Sequence, residues 1–184
     1  MMKSVLIAIR PQWVEKIASG QKTIEVRKTA PKEVPFKCYI YETKGQYVKF
    51  THGAHTKYGY GRGKVIGEFI CDKVYSIKNR GSSFSVADEE QSVTNEIARQ
   101  SCLYYDDMVS YFGNKDGFGW HISDLKIYDK PRELSEFSRP CSYSGLCFSC
   151  KRTSFKKDGN LLCNTKITRP PQSWMYVEDL GEEK

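Results

Sequence analysis

With 184 residues, 39% of them hydrophobic, the chain is sized for one domain with one principal core. Twenty-nine Lys and Arg against 22 Asp and Glu give a formal charge of +7, which favours a polyanionic partner such as nucleic acid. No run approaches the ~18 apolar residues that span a bilayer, so no membrane role is expected. Met1 to Ile9 reads as a first strand rather than a signal peptide, because Arg10 and Pro11 interrupt its apolar run. A cytoplasmic location is the resulting expectation.

Ser4 to Ile9 is nearly all apolar and predicts a strand buried on both faces. Pro11 suits the first position of a helix, where its missing N–H is not needed. Trp13, Val14, Ile17 and Ala18 then recur at helical spacing, and Gly20 is a C-terminal stop. Beyond it Ile24 and Val26 alternate with Thr23, Glu25 and Arg27. A strand there sends the two apolar side chains to a core and the three polar ones to the opposite face, with Lys22 at the preceding turn. This compact Lys, Thr, Glu and Arg set on rigid backbone is the best local candidate for a site. Its plain alternative is a solvated strand face with a Glu–Arg pair.

Pro31 and Pro35 mark a loop, and Lys37 to Thr43 reads as a strand. Lys44 to Lys64 differs in kind, with five Gly and no acidic residue. Lys44, Lys49, Lys57, Arg62 and Lys64 interleave there with Tyr47, Phe50, Tyr58 and Tyr60, beside His52 and His55. Basic charge among aromatic platforms suits single-stranded nucleic acid; a Gly-rich hairpin with its tyrosines packed on the core is the other reading. Val65 to Tyr75 predicts one long strand, with Gly67 marking a bulge or close backbone approach. Glu68 within it either shares a cleft with Glu25 or faces solvent. A polar loop (Asn79 to Ser85), a helix with a thin apolar face (Val86 to Ser101) and a short helix ended by Gly113 (Asp106 to Phe112) follow. Gly117 to Tyr128 predicts a strand ended by Lys130-Pro131. Trp120 and His121 at its start either border a pocket or, for His121, serve as a hydrogen-bonded structural residue. Leu134 to Phe137 reads as a turn on the core, Ser173 to Val177 as the last strand, and Glu178 to Lys184 as a fraying tail.

Four of the seven cysteines, Cys141, Cys147, Cys150 and Cys163, lie in a C-x5-C-x2-C-x12-C pattern. A C-x2-C turn sets two thiolates close enough to share a tetrahedral metal, and two more complete a closed four-thiolate site. The segment around them has too few apolar residues to fold alone, which a structural zinc would solve. An iron–sulfur cluster and free thiols are the rivals. Cys38, Cys71 and Cys102 read as core residues.

Ile9-Arg10-Pro11, the short helix and Gly20-x-Lys22-x-x-Glu25-x-Arg27-Lys28 together resemble the ASCH domain family of the PUA-like superfamily, in the subgroup found in bacteria and their phages. Gly63 to Phe69, Trp120 to Ser123 and Pro170 to Trp174 fit the same resemblance, which covers most of the chain. It implies an α+β fold over residues 1–184: an open PUA-like β-barrel of about six strands with short flanking helices, and a cysteine-rich, zinc-stabilised insertion at 138–168. It also implies a cleft at Lys22 to Arg27 that binds RNA or modified nucleotides. Some members of the family hydrolyse N4-acetylcytidine and one branch is ribonuclease-like. In the amidohydrolase branch a Lys and a Thr three residues later belong to the active site. Lys22 matches that Lys, but Glu25 stands where the Thr would be.

Two uses of the cleft follow. As a binder of a nucleotide or single strand, Arg10, Lys22 and Arg27 meet phosphate, Thr23 and His121 border the site, Glu25 accepts from a base amino group, and Trp120 or Trp174 stacks. As a hydrolase, Glu25 or Glu68 serves as general base and Lys22 steadies the oxyanion, although Arg27 beside Glu25 weakens that base. Binding is the preferred reading. A protein partner at the cysteine loop is the third.

Overall fold

The computed structural model describes residues 2–49, 57–81, 83–141, 153–155, 161–163 and 165–181. The first half holds β1 (Lys3–Ile9), α1 (Pro11–Ala18), β2 (Ile24–Arg27), β3 (Phe36–Glu42), β4 (Gly45–Lys49), β5 (Lys57–Gly61), β6 (Val65–Cys71), β7 (Val74–Asn79) and β8 (Phe84–Val86). The second half holds α2 (Gln91–Ser101), α3 (Tyr105–Phe112), β9 (Gly117–His121), β10 (Ser123–Arg132), β11 (Thr153–Phe155), β12 (Leu161–Cys163) and β13 (Trp174–Val177), with a 3₁₀ turn at Leu134–Glu136. The expected six or so strands are thus too few. The strands form a five-stranded sheet, β10-β6-β3-β1-β13, and a four-stranded sheet, β2-β9-β7-β8. Two hairpins, β4–β5 and β11–β12, stand apart from them.

The apolar opening run becomes β1, an inner strand of the larger sheet between parallel β3 and antiparallel β13. One face packs with α1, whose Val14 and Ile17 join Ile7, Phe36 and Phe69. The other face packs Leu6 and Tyr39 against Phe137 and Ile167. Pro11 opens α1, and Gly20, at φ 74°, follows its end. The smaller sheet has its own apolar cluster, in which Ile24 and Val26 meet Ile77, Ile97 and Phe112.

The two longest expected strands are each broken once, and the breaks coincide. Val65 to Tyr75 divides at Asp72-Lys73 into β6 and β7, and Gly117 to Tyr128 divides at Ile122 into β9 and β10. In both cases one half lies in the five-stranded sheet and the other in the four-stranded sheet. The paired strands turn this corner together, as strands that switch sheets do. His121 N–H bonds to the Lys73 carbonyl at 2.9 Å, and the Ser123 hydroxyl donates to the Ile70 carbonyl at 2.8 Å. Asp124 takes a positive φ just past the turn. Gly67 supplies the close approach its position predicts: a Cβ there would lie 2.4 Å from the Lys126 carbonyl oxygen. Pro131 does not end its strand. It sits in β10, at the edge of the sheet, where a missing N–H costs no ladder bond.

Three further expectations change. Val86 closes β8 and α2 begins only at Gln91. The tail does not fray from Glu178, because the Glu178 N–H bonds to Ser138 and the Leu180 N–H to the Tyr39 hydroxyl. Cys38 and Cys71 are fully buried, but Cys102 is only half-buried at the left-handed C-cap of α2. Among the described residues no helix is long and apolar enough to cross a membrane.

Candidate nucleotide cleft

Strand β2 is buried on both faces, so its polar residues are not a solvated surface. Ile24 and Val26 fill the smaller sheet's core, while Glu25 and Arg27 are only 5% and 7% exposed. Register explains this, because β2 pairs with β9 while its Arg27 reaches across to the larger sheet. The Arg27 Nη2 donates to the Ala8 carbonyl of β1 at 2.8 Å and meets Glu25 Oε1 at 2.9 Å. Its Nε is buried with no hydrogen-bond partner.

Lys22 enters from the other side. Its ammonium donates to the Ser101 carbonyl at 2.6 Å and lies 3.4 Å from Glu25 Oε2. Ser101 is the last residue of α2, so its carbonyl has no partner within the helix and lies at the negative end of the helix dipole. The Trp13 ring covers the same ammonium at 5.4 Å. Burial pushes the Lys22 pKa below its usual value despite the nearby Glu25 carboxylate. Lys22, Glu25 and Arg27 therefore form one charge network that joins the end of α2 to β1.

This network is a wall of a cleft of ≈ 530 Å³. Arg10, Trp13 and Thr43 line it from the α1 side, and Asp107, Ser110 and Tyr111 from α3. Arg10 is exposed, and no hydrogen bond or ion pair from its guanidinium to another described residue is present. Tyr111 carries Lys28 over its ring at 5.2 Å. The volume lies within the range of small-molecule pockets, about 300–1,000 Å³.

Of the residues singled out in the sequence, Arg10, Lys22, Glu25 and Arg27 come together here. Thr23 does not line the cleft; its N–H bonds to Gln100 and its carbonyl to the Ile122 N–H. Trp120 has no exposed surface and packs edge-on between Phe36 and Trp174, so it has no face to offer a base. Trp174 donates to Thr29 Oγ1 at 3.0 Å, outside the cleft. His121 bonds Asp72 at 2.6 Å, pinning the corner between β6–β7 and β9–β10. Glu68 does not share the cleft of Glu25. It accepts from Tyr128 at 2.5 Å in a second, charged cavity of ≈ 1190 Å³ beneath β10. Sequence reading missed Trp13, whose helical spacing marked it as core, and the α3 residues, which lie some eighty positions from Lys22 along the chain.

The whole arrangement can be matched to known structures. The chain is similar to the crystal structure of ASCH from Zymomonas mobilis, with a TM-score of 0.54 and 16% identity over 96% of this chain and 88% of that one. Two point variants of the same protein match at 0.54 and 0.53, also at 16% identity. The chain has the ASCH fold. At that identity the likeness is one of fold. No protein-family model and no curated protein matches.

The cysteine pattern lies mostly elsewhere. Cys147 and Cys150 fall outside the described residues, as do His52 and His55 of the Gly-rich stretch. Cys141 is exposed and not in a disulfide. Cys163 closes β12, opposite Thr153 of β11. Among the described residues no group of three or more His, Cys, Asp or Glu is placed to hold a metal ion.

Proposed function

We propose that the cleft of this ASCH fold binds one nucleobase-bearing unit, a nucleotide or a nucleotide of an RNA or other single strand. The observation that carries this is the buried Lys22–Glu25–Arg27 network lining one wall of the cleft. A buried ion group is costly to assemble and adds little net stability. Beside a nucleotide-sized opening, its use is recognition. Lys22 and Arg27 are largely satisfied within the protein, so they hold Glu25 in place rather than neutralise phosphate. Glu25 then accepts from a base amino group. Arg10, exposed at the rim, meets the phosphate, and Trp13 or Tyr111 offers a stacking face in place of Trp120.

The test is calorimetric titration with the four nucleoside 5′-monophosphates and N4-acetylcytidine, on the native chain and on Glu25→Gln. Binding lost in Glu25→Gln supports the reading. Binding that survives it moves the site out of this cleft. Mass spectrometry of the same mixtures examines the second reading, hydrolysis of a modified nucleoside. Its favouring observation is the lowered pKa of Lys22, which suits proton transfer. Against it, Glu25 is tied to Arg27 and no threonine takes its place at that spacing.

Structural zinc on Cys141, Cys147, Cys150 and Cys163 is proposed from the cysteine spacing. The β11–β12 hairpin supports it by returning Cys163 to Thr153, three positions after Cys150. Metal analysis of the purified chain should give one zinc per molecule, and Cys150→Ser should abolish it.

A further inference from the structure

The β4–β5 hairpin presents its two faces very differently. On β5, Gly59 and Gly61 alternate with Tyr58 and Tyr60. The glycines face inward because nothing larger fits. A Cβ on Gly59 would lie 2.4 Å from the Tyr47 ring, and one on Gly61 would lie 1.8 Å from the Thr43 carbonyl oxygen and 2.5 Å from Pro11. That alternation turns the two tyrosines outward, where they are 57% and 71% exposed. Aromatic rings this bare, side by side on one strand, have no structural duty to explain them.

Their surroundings indicate a partner. Gly61 touches Thr43, which lines the cleft, and Pro11, which follows Arg10 at the cleft's rim. The glycine face thus anchors the hairpin beside the cleft, and the tyrosines lie on its opposite face. Lys44 is exposed at the base of the hairpin, and the Arg62 side chain is 62% exposed, its Nε 4.0 Å from Glu42. No acidic residue lies between Lys44 and Lys64. Tyr58 and Tyr60 are two positions apart on a strand, about 6.6 Å, which gives each ring a base of its own.

We propose that this hairpin face is a stacking platform for single-stranded nucleic acid, beside the cleft. Tyr60 and Tyr58 take successive bases of a strand that also passes the cleft, and Lys44 and Arg62 meet its phosphates. This rests on the cleft reading above and goes further, because it makes the ligand a polymer rather than a free nucleotide. Base stacking of this kind is tolerant of sequence and depends strongly on salt.

The experiment is fluorescence anisotropy with labelled mixed-sequence RNA and DNA strands of about ten nucleotides, set beside calorimetry with the mononucleotides. The Tyr58→Ala, Tyr60→Ala double variant should weaken strand binding by roughly tenfold or more, since each stacked base contributes appreciably. Its thermal midpoint and its mononucleotide affinity should not change, because both rings are exposed and outside the cleft. Tyr58→Phe with Tyr60→Phe should keep strand affinity. Comparing the two strands tells whether RNA or DNA is preferred. A strand that binds no more tightly than a mononucleotide, or whose binding the double Ala variant leaves intact, overturns the proposal. Mononucleotide binding lost in Glu25→Gln while strand binding ignores the tyrosines would sink the hairpin and keep the cleft. Strand binding that needs the tyrosines but ignores Glu25→Gln would do the reverse.

Discussion

Glu25 stands between two buried cations, and its removal should matter more than theirs. Glu25→Ala leaves Lys22 and Arg27 without their carboxylate at 2% and 9% side-chain exposure. A loss of about 3–5 kcal/mol is expected, as for one partner taken from a buried ion pair. The double change Glu25→Gln with Lys22→Met should recover much of it, and urea unfolding of the three chains checks that order. Lys22 also sets a pH dependence. Burial lowers its pKa, so the unfolded chain keeps this proton to higher pH than the folded one. Stability should therefore rise as pH passes from the lowered native value toward 10.5. In Lys22→Met that rise should be absent from urea midpoints measured at stepped pH. The residue types at positions 22, 25 and 27 were legible in the sequence. Their burial was not, because alternation along β2 separates two faces without saying that the second is also covered.

At the scale of elements, most strands and helices follow from pattern. The all-apolar β1, the Pro11 start of α1, the Gly20 stop and the short α3 are set by local chemistry. The corner of the two sheets is different. β6 and β7 read as one strand, as do β9 and β10, because period-2 patterning continues through a bend. What divides them is pairing across the molecule, with His121 bonded to Lys73 and Asp72. The edge position of β10 likewise decides that Pro131 is tolerated. Gly67→Ala tests this packing. Its Cβ would strike backbone, 2.4 Å from the Lys126 oxygen, rather than a side chain that can swing away. A loss of roughly 1–3 kcal/mol is expected, read as a lower urea midpoint, while the cleft, which Gly67 does not line, keeps its ligand affinity.

At the scale of the whole molecule, the C-terminal segment clasps the larger sheet. Asp179 accepts from the Tyr39 hydroxyl and meets the Lys37 ammonium at 3.1 Å, and Lys37 is itself buried. Burial pushes Asp179 up, but the Tyr39 and Lys37 contacts prevail and hold its carboxyl below the usual 3.8. Its stabilisation is therefore present above that value and lost as pH falls through the native one. Asp179→Asn should unfold more easily than the native chain at neutral pH, and the gap should close in acid. Charge acts at this scale too. A net +7 should make strand binding weaken steeply with added salt, and anisotropy at stepped ionic strength reads that slope.

The sequence by itself determined the local elements, the basic excess, the Lys22, Glu25 and Arg27 set, and the resemblance that led to the ASCH fold. These rest on residue type and spacing, which are local. Only the tertiary structure decided that Trp120 is core and Trp13 lines the cleft, that Glu68 serves another cavity, and that Tyr58 and Tyr60 face outward. Each of those depends on which side of a strand or helix meets a neighbour far along the chain, and no local pattern carries that information.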